Sequence, residues 1–460
     1  MRRVHRLALL GLLGLLVGAA ACGGPNTSPT PQPLAFSPCG EAEAPTGEQG
    51  TRHKFCAQIH VTESNGADRV VQVLAISNKA SDPIAGRTVL VYHPGGPGIS
   101  AVELVAEDPL AVDMARFTIL TWDGTTASQV PGACGPASNA FGVNRDPAKL
   151  ADEAPKVVKE CLGGFGGKDD VGAAAAAAEL EAIRVAIGVD KLNVLAVSYG
   201  TAIAEDYIRM HGEHVDRAVL DGPLALEVPW SARLQAVGAS LALGTEGLVA
   251  SCTTERCMAL ANGTGSLAYG ALRAALVAQA PPVGGGNTVL TATMIDQATL
   301  LALRSDNYWV PWATAVDVAL GGDGTDLWAL GEKEYFDLDR AVFYRSLCAD
   351  INVPPDPAAY GTPQDALLRA YTSALAPCAG YPHTTLPAAR GKLTGSVRIF
   401  ASAKDPLTPF GLLASAPTLQ AFGTVCQTDV AGHTSLRDAV SGPLELAFVT
   451  GADHGDGCAP

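Results

Sequence analysis

The fold of this 460-residue chain is decided by one stretch, Leu192-Asn193-Val194-Leu195-Ala196-Val197-Ser198-Tyr199-Gly200-Thr201. An apolar run typical of a buried strand ends at Ser198, and apolar residues at helical spacing follow it. Small residues, Ala196 and Gly200, stand two positions before and two positions after the serine, where a very tight turn excludes larger side chains. The stretch therefore predicts a strand–turn–helix unit that lifts the Ser198 hydroxyl out of a sheet. The alternative, an ordinary serine at the end of a strand, stays open on this pattern alone.

A second signal is the glycine- and proline-rich run His93-Pro94-Gly95-Gly96-Pro97-Gly98, which follows a buried-strand pattern at 88–92. Glycine lets such a loop approach a ligand closely with bare backbone N–H groups. Together with the strand–turn–helix unit, the run predicts an α/β-hydrolase fold, in which this loop and the residue after the nucleophile donate the N–H groups of an oxyanion hole. We expect the donors to be Tyr199 and one residue from Gly95 to Gly98, with Gly96 preferred. The alternative is a tight surface turn.

The remaining patterns indicate how the chain is organised. Strand patterns occur at 57–61, 70–76, 117–122, 217–222, 396–401 and 424–430, and helix patterns at 172–187 and 202–210. We therefore expect a mostly parallel central sheet flanked by helices. Residues 223–395 break the alternation of strands and helices and are mostly helical in pattern, which predicts a cap domain inserted into the core. The core then consists of residues 39–222 and 396–460.

Two further residues complete a hydrolytic set in the chain order serine, acid, histidine. Asp405 and His433 each follow a predicted strand, so both should emerge with Ser198 at the same edge of the sheet. His433 would take the proton of Ser198 and return it to the leaving group, while Asp405 would orient the imidazole and stabilise its cation. The rivals for these two roles are Asp221, His93 and His454, which we rank below this pair.

Residues 1–21 have the pattern of a signal peptide, in which three arginines precede an apolar core too short to span a membrane. Cys22 follows three alanines in the manner of a bacterial lipobox, which predicts its lipidation. Residues 22–38 are then a flexible tether. The alternative is a plain signal-peptidase site and a secreted protein. Both interpretations predict export, either as a lipoprotein anchored on the outer face of the cell membrane or free in the medium.

Ten cysteines remain after Cys22, and an even number in an exported chain predicts disulfides. Sequential pairing closes the shortest loops, and we adopt it as a hypothesis. The pairs are Cys39–Cys56, Cys134–Cys161, Cys252–Cys257, Cys348–Cys378 and Cys426–Cys458. The cysteines and histidines show no zinc-site spacing, so we expect no metal, and nothing in the sequence calls for a cofactor.

The formal net charge is −15, with 46 acidic residues against 31 lysines and arginines. This balance offers no basic face for phosphates and argues against nucleic acid as a partner. We expect a monomer whose contact with the membrane is limited to the lipid anchor.

Several of these motifs together resemble the secreted actinobacterial tripeptidyl aminopeptidases, which are relatives of proline iminopeptidase. The likeness lies in the loop 93–100, the turn 198–201 and the run Val219-Leu220-Asp221-Gly222, and it extends from about Cys39 to Cys458. The resemblance implies an α/β-hydrolase with a helical cap that releases short peptides from a free N-terminus through an acyl-enzyme. It also implies a carboxylate for the substrate ammonium, and Asp350 is our candidate because its Cys-Ala-Asp context resembles a cap motif of the family.

The chain departs from the family pattern in three places. His93 replaces an asparagine at the start of the loop, Ala196 replaces a glycine before the nucleophile, and the loop 123–128 lacks two arginines. These departures leave the serine, acid and histidine in place but put the substrate preference in doubt. A carboxylesterase acting on small acyl esters is therefore an alternative, and a catalytically silent binding lipoprotein is a third.

Overall fold

A central sheet of nine strands carries the fold in the described part of the chain. The strands are β1 (Ser37–Pro38), β2 (His53–Thr62), β3 (Asp68–Ser77), β4 (Thr88–His93), β5 (Phe117–Asp123), β6 (Leu192–Val197), β7 (Val215–Asp221), β8 (Ser396–Ser402) and β9 (Thr424–Thr428). Their order across the sheet is β1-β2-β3-β5-β4-β6-β7-β8-β9. The pairings from β1 to β5 are antiparallel and those from β5 to β9 are parallel, so the sheet is mostly parallel as expected.

The computed structural model describes residues 33–39, 51–62, 66, 68–127, 134–162, 171–251, 265–356, 365–379, 381–384, 386–452 and 458. The helices are α1 (Ala101–Glu107), α2 (Pro136–Val143), α3 (Leu150–Leu162), α4 (Gly172–Ile187), α5 (Tyr199–His211), α6 (Trp230–Ser251), α7 (Gly265–Gln279), α8 (Ala292–Arg304), α9 (Trp309–Leu320), α10 (Thr325–Phe336), α11 (Arg340–Asp350), α12 (Ala366–Ala374), α13 (Pro417–Gln420) and α14 (Ser441–Val449). Short 3₁₀ helices lie at Gly212–His214, Asp306–Tyr308, Ala376–Cys378 and Phe410–Ser415.

Strand β6 is buried on both faces, which explains why its sequence is a nearly continuous apolar run. Side chains alternate across a strand, so Val194 and Ala196 pack into the larger core cluster, which includes residues of α4 and α5. Leu195 and Val197 point to the opposite face and pack into a smaller cluster with Phe448 of α14. Helices therefore cover both faces of the sheet, and the Ser198 turn leaves it at its carboxyl edge.

The chain between Asp221 and Ser396 adds no strand to the sheet within the described residues, and it contains helices α6 to α12. These helices have an apolar core of their own, in which Trp312 and Met294 are almost completely buried. The indole N–H of Trp312 donates to Thr299 Oγ1 at 3.0 Å, so this aromatic residue serves packing. We call this segment the cap, and the boundaries 223–395 remain a prediction.

Four of the five predicted disulfides form in the structure, with Cα–Cα distances of 5.5, 5.1, 4.6 and 5.2 Å along the chain. They are compatible with an extracellular protein. The fifth predicted pair, Cys252–Cys257, lies outside the described residues, and so do the signal peptide and Cys22. Within the described ranges, none of the helices combines the length and apolar character that a membrane span needs.

Candidate active site

Ser198 occupies a strained turn between β6 and α5. Its backbone lies at φ 55° and ψ −124°, a region that non-glycine residues adopt only when the surrounding structure holds them there. The Ser198 N–H donates to the carbonyl of Asp221 on the neighbouring strand at 2.8 Å. The Ser198 carbonyl accepts hydrogen bonds from the N–H and the hydroxyl of Thr201. The strand–turn–helix unit predicted from the sequence is therefore present.

The residues around Ser198 must be small because the glycine-rich loop after β4 packs directly against the turn. A Cβ atom on Gly200 would lie 2.7 Å from the carbonyl oxygen of His93. A Cβ atom on Gly95, which has φ +109°, would lie 2.9 Å from the Cβ of Ser198. Real Cβ atoms do not approach other heavy atoms this closely, so the loop after β4 packs directly on the turn only because both positions are glycine.

His433 joins Ser198 to Asp405. Its Nε2 lies 2.7 Å from Ser198 Oγ, and its Nδ1 lies 2.9 and 3.0 Å from the two carboxylate oxygens of Asp405. Because an ionised carboxylate only accepts hydrogen bonds, Nδ1 carries the proton in the neutral ring and Nε2 is left to accept the serine hydroxyl. The structure thus brings together the three residues that the sequence selected, each at the end of a strand.

The carboxylate of Asp405 is buried but extensively hydrogen-bonded. It accepts hydrogen bonds from the N–H groups of Leu407, Thr408 and Thr434 and from the Thr408 hydroxyl, at 2.8, 2.9, 3.2 and 2.9 Å. Burial by itself would raise the pKa of Asp405, but His433 and these donors outweigh it and hold the pKa below its usual value. Asp405 therefore stays ionised at neutral pH.

Asp221, the rival acid, does not bond to His433 but holds the turn that follows it. Its buried carboxylate accepts hydrogen bonds from the N–H groups of Ser435 and Leu436, at 2.7 to 2.9 Å, and from the Ser435 hydroxyl at 2.9 Å. The oxygen of the same hydroxyl lies 2.7 Å from Oε1 of Glu445, whose pKa is raised by burial, so the Glu445 carboxyl can donate to it. Burial raises the pKa of Asp221 to about 6. The other rival, His454, lies outside the described residues.

The loop after β4 leaves one N–H group for an oxyanion. Gly95 donates to Nδ1 of its neighbour His93 at 3.2 Å, Gly98 donates to the carbonyl of Thr126 at 2.9 Å, and Pro97 has no N–H. Gly96 remains, and it lines the same cavity as Ser198 and Tyr199. The structure therefore places both expected donor residues beside the nucleophile.

His93, which stands where the aminopeptidases that the chain resembles have asparagine, supports this loop as a neutral ring. Its side chain is 4% exposed, and burial lowers its pKa to about 4. Nδ1 accepts the Gly95 N–H, so Nε2 carries the proton. The ring packs edge-on against Trp122, with 5.1 Å between the ring centroids. The substitution thus preserves a side-chain acceptor for the backbone of the loop.

Glu179 is a functional support that the sequence reasoning missed. Its buried carboxylate accepts the Trp122 indole N–H at 3.1 Å and the Thr125 N–H at 3.0 Å, and it pairs with Arg69 at 3.2 Å. It thereby holds the loop after β5, whose Thr126 carbonyl in turn binds Gly98. The signal was available, because Glu179 is the first acid after an alanine run in a helix that packs on the sheet.

Asp350 is the predicted site residue that the structure does not bring to Ser198. It ends α11 and is buried, where its carboxylate accepts the N–H of Ala173 at 3.0 Å and the hydroxyl of Tyr199. The cavity is instead lined by Leu347 and Ile351, one helical turn apart on the same segment. Asp350 therefore caps α4 beneath the site, and burial raises its pKa to about 7.

The Ser198 hydroxyl opens into a cavity of about 300 Å³. We call one wall the strand-end side; it comprises Pro94, Gly96, Pro97, Ile99, Val197, Ser198, Tyr199, Leu407, Thr408, His433 and Thr434. We call the facing wall the cap side; its polar residues are Arg145, Gln297, Arg304, Glu334 and Arg340, and its apolar residues include Leu300, Leu338, Phe343, Leu347 and Ile351. The cavity is largely apolar, with its charged side chains confined to the cap side.

A family model described as the alpha/beta hydrolase fold matches residues 88–349. This chain belongs to that family. The match and the sheet order confirm the predicted fold, and the chain is a hydrolase of the α/β type. The narrower likeness to tripeptidyl aminopeptidases stays a prediction.

Two mycobacterial relatives differ in how much of the chain they cover. The serine protease Hip1 of Mycobacterium tuberculosis is 28% identical over 236 residues, which span 47% of this chain but only 44% of Hip1. A protein named carboxylesterase B from the same species is 26% identical over 479 residues, spanning 89% of this chain and 88% of that protein. Among solved structures, epoxide hydrolase A from Mycobacterium thermoresistibile superposes with a TM-score of 0.34 at 14% identity, over 86% of this chain and 97% of that one.

Proposed function

We propose that the protein is an exported serine hydrolase that cleaves carboxylic esters through an acyl-enzyme on Ser198. The observation that carries the proposal is the hydrogen-bonded series of Ser198, His433 and Asp405, with 2.7 Å between Ser198 Oγ and His433 Nε2 and 2.9 Å between His433 Nδ1 and Asp405. A nucleophile, a base and a group that orients the base are the parts such a reaction requires.

In this mechanism Ser198 Oγ attacks the ester carbonyl carbon while its proton moves to His433 Nε2. The oxygen of the tetrahedral intermediate becomes negative and accepts hydrogen bonds from the N–H groups of Gly96 and Tyr199. The carbon–oxygen bond to the leaving group then breaks, and His433 returns the proton to the departing alcohol. Water attacks the acyl-enzyme with His433 again as base, which releases the carboxylic acid and restores Ser198.

The charges in the cavity favour esters over peptides with a free N-terminus. A buried ammonium needs a carboxylate partner. Glu334 is the single carboxylate among the described residues that line the cavity, and its Oε2 already accepts a hydrogen bond from Arg304 at 2.8 Å. Asp350 is held beneath the site by Tyr199 and Ala173. The relative that covers most of the chain, carboxylesterase B, supports the same preference.

An aminopeptidase is the second candidate, and Glu334 is the observation that favours it. Glu334 lies on cap helix α10 and faces the cavity that contains Ser198. If a substrate ammonium displaced Arg304, this carboxylate would bind it, as the resemblance to aminopeptidases implies. The partial match to Hip1, which is named a serine protease, supports a peptidase in general. The two candidates share their chemistry, so only substrates separate them.

The test compares kcat/KM for nitrophenyl butyrate, a tripeptide anilide with a free N-terminus and its N-acetylated form. We expect turnover of the ester, slow cleavage of both peptides, and a loss of about 10⁶-fold in kcat for Ser198→Ala. Fast cleavage of the free peptide alone, abolished by Glu334→Gln, would establish the aminopeptidase instead. If no substrate is turned over and a fluorophosphonate labels wild type and Ser198→Ala equally, the protein is not a serine hydrolase.

Export and anchoring through Cys22 complete the proposal. They are supported by the signal pattern of residues 1–21 and by the four disulfides, which persist in oxidising compartments. We expect labelled palmitate to be incorporated into the wild type and not into Cys22→Ala. A wild-type protein that is unlipidated and fully soluble in the medium would support the secreted form and exclude the anchor.

A further inference from the structure

Arg145 brings a buried cation to the wall of the Ser198 cavity. It lies just after α2, and its backbone N–H donates to Thr293 Oγ1 on α8 at 2.8 Å, which fixes its position against the cap. The residue is only 8% exposed, yet it lines the cavity. The guanidinium is therefore withdrawn from bulk water while it faces the space where a substrate would lie.

The guanidinium of Arg145 is incompletely paired. Its Nη2 donates to Gln297 Oε1, whereas its Nη1 is buried without a hydrogen-bond partner among the described residues. The guanidinium lies 5.7 Å from the ring of Phe141 and 5.8 Å from that of Tyr335. Rings offset a charge only in part. Burial lowers the pKa of Arg145, as expected for a cation removed from water.

Among the described residues, the carboxylate of Asp296 attracts the charge of Arg145 but is already paired with another cation. Asp296 is bound by Arg273 through two hydrogen bonds of 2.6 and 2.9 Å and by the Tyr269 hydroxyl at 2.6 Å. Glu334 is paired with Arg304 at 2.8 Å. Within the described ranges, no salt bridge joins Arg145 to an acid.

The rest of the cap side reinforces the positive field. Arg340 also lines the cavity, and its guanidinium lies 3.8 Å from the ring centroid of Tyr335. It donates to the backbone carbonyls of Tyr335 and Glu334, which carry no net charge. Three guanidinium groups therefore face the cavity with a single carboxylate, Glu334, among its described lining residues.

We propose that Arg145 is an anion subsite on the cap side of the Ser198 cavity, and that the preferred substrate is an ester carrying a free carboxylate, such as a half-ester of a dicarboxylic acid. This proposal rests on the hydrolytic function proposed for Ser198. The guanidinium of Arg145 attracts the substrate carboxylate at the cavity wall, and Gln297 holds the guanidinium in place through Nη2. Gln297 is itself held, because its Nε2 donates to the carbonyl of Gly331 at 3.0 Å.

A substrate carboxylate would supply the negative charge that the cap side of the cavity lacks. Removing an ion from water is costly, and a buried guanidinium with an unused N–H recovers part of that cost when an anion binds. Hydrogen bonds to charged groups stabilise by about 1.5–3 kcal/mol, which corresponds to roughly a ten- to hundredfold change in kcat/KM. A substrate ammonium would instead meet an excess of positive charge.

The kinetic test uses mono-nitrophenyl esters of glutarate, adipate and suberate at pH 7, each against the neutral nitrophenyl ester of equal chain length. We expect the charged ester to be preferred by about ten- to hundredfold at the chain length that spans the cavity. Arg145→Gln should abolish that preference by raising KM for the charged ester far more than KM for the neutral ester. Arg145→Lys, which keeps the charge, should retain part of the preference.

Arg184→Gln is the matched control. It removes the same charge from a buried guanidinium that pairs with Glu181 and does not line the cavity, so the preference should be unchanged. Thermal melting of each variant establishes that it is folded. A wild type that favours the neutral ester at every length overturns the proposal, and so does a preference that survives in Arg145→Gln.

A binding measurement separates this proposal from the hydrolytic function. Calorimetry on Ser198→Ala compares monomethyl glutarate, adipate and suberate with their dimethyl esters, and requires no turnover. Tighter binding of a charged ester that is lost in the double variant with Arg145→Gln supports the subsite even if hydrolysis fails. Equal binding of the charged and neutral esters refutes the subsite even if Ser198 proves to be the nucleophile.

Discussion

The two sides of the Ser198 cavity differ in how completely their polar groups are paired. On the strand-end side, the carboxylate of Asp405 receives hydrogen bonds from backbone, hydroxyl and imidazole donors. On the cap side, Nη1 of Arg145 is buried without a partner. The difference indicates that the two sides have different roles. Catalysis requires a geometry that is fixed before the substrate arrives, so the catalytic groups are fully hydrogen-bonded within the protein. Substrate binding gains affinity from polar groups whose hydrogen bonds only the substrate completes.

The two sides also differ in how the chain builds them. Ser198, Asp405 and His433 follow the parallel strands β6, β8 and β9, with β7 between β6 and β8, so the register of the sheet brings them to one edge. The polar residues of the cap side come from the segment after α2 and from helices α8, α10 and α11. These residues lie close together only because of how the helices pack, and local sequence patterns do not encode that packing.

The largest effect is expected from Asp405→Asn on the strand-end side. The amide removes the negative charge that stabilises the imidazolium and favours the wrong tautomer of His433, so kcat should fall about 10⁴-fold. Any preference for charged esters should persist, because the cap side is untouched. The measurement is kcat on a nitrophenyl ester together with thermal melting.

Asp429→Asn is the control for this change, because Asp429 is 93% exposed, pairs with Lys404 and lies four residues before His433 without a hydrogen bond to its ring. It should retain nearly full activity. A decrease of less than tenfold in Asp405→Asn would show that His433 is oriented by other groups.

The strand-end side was largely predictable from the sequence. The turn at Ser198 and the run 93–98 are local motifs whose residue types follow from close packing, as the contacts of Gly95 and Gly200 show. Asp405 and His433 could be selected because they follow strand patterns in the required chain order. The strands themselves were found because a strand buried on both faces has an unmistakable apolar run.

Gly95→Ala tests the close packing of the strand-end side and should have the second largest effect. The added methyl group would lie 2.8 Å from the Val197 carbonyl and 2.9 Å from Ser198 Cβ, so the loop or the nucleophile must move. Displacing one oxyanion donor reduces kcat by about 10²- to 10³-fold in other hydrolases, and we expect a similar loss. The measurement is kcat with KM determined separately.

Gly86→Ala is the control, since Gly86 also has a positive φ, +69°, but no heavy atom lies within 4 Å of its added methyl group. Gly86→Ala strains the backbone as Gly95→Ala does, but its methyl group collides with no other atom. It should therefore lower thermal stability and leave kcat unchanged. Equal kcat values for the two variants would show that the loop adapts and that the close approach is not needed for activity.

The residues of the cap side could not be predicted from the sequence, for a physical reason. Asp350 was selected from its local context, but the direction of a side chain on α11 depends on the helix packed against it, and here Asp350 points to α4 and Tyr199. Arg145 carried no local motif, and its importance arises only because α8 and α10 enclose it. Pairings between helices far apart in sequence determine both outcomes.

The smallest expected effect is on how stability depends on pH, and it comes from two buried acids where the two sides of the cavity meet. Asp206 on α5 and Asp350 on α11 are both buried, and Tyr199 beside the nucleophile donates to Asp350. Burial and the neighbouring acids Asp350 and Glu205 raise the pKa of Asp206 to about 8, which Arg209 only partly offsets. Burial raises the pKa of Asp350 to about 7. Both carboxyls are therefore protonated in the folded protein over much of the range in which the unfolded chain ionises them.

The sign of the resulting pH dependence follows from proton linkage. Below about pH 4 both groups are protonated in the folded and unfolded states, and their contribution to stability is fully present. As pH rises to about 7 for Asp350 and to about 8 for Asp206, the unfolded chain releases protons that the folded protein keeps, so the free energy of unfolding falls by about 1.4 kcal/mol per pH unit for each group. Above about pH 8 the folded groups ionise as well, and the loss levels off.

Asp206→Asn should remove the contribution of Asp206 to this pH dependence of stability. The amide has nearly the same shape and cannot ionise, so the variant should gain stability over the wild type by an amount that increases between about pH 4 and pH 8. Denaturant unfolding at pH 5, 6, 7 and 8 measures this difference. Asp216→Asn, an exposed substitution on β7, is the control and should follow the wild-type profile. If Asp206→Asn runs parallel to the wild type, Asp206 is ionised in the folded protein, and Arg209 offsets its burial and the neighbouring acids more fully than expected.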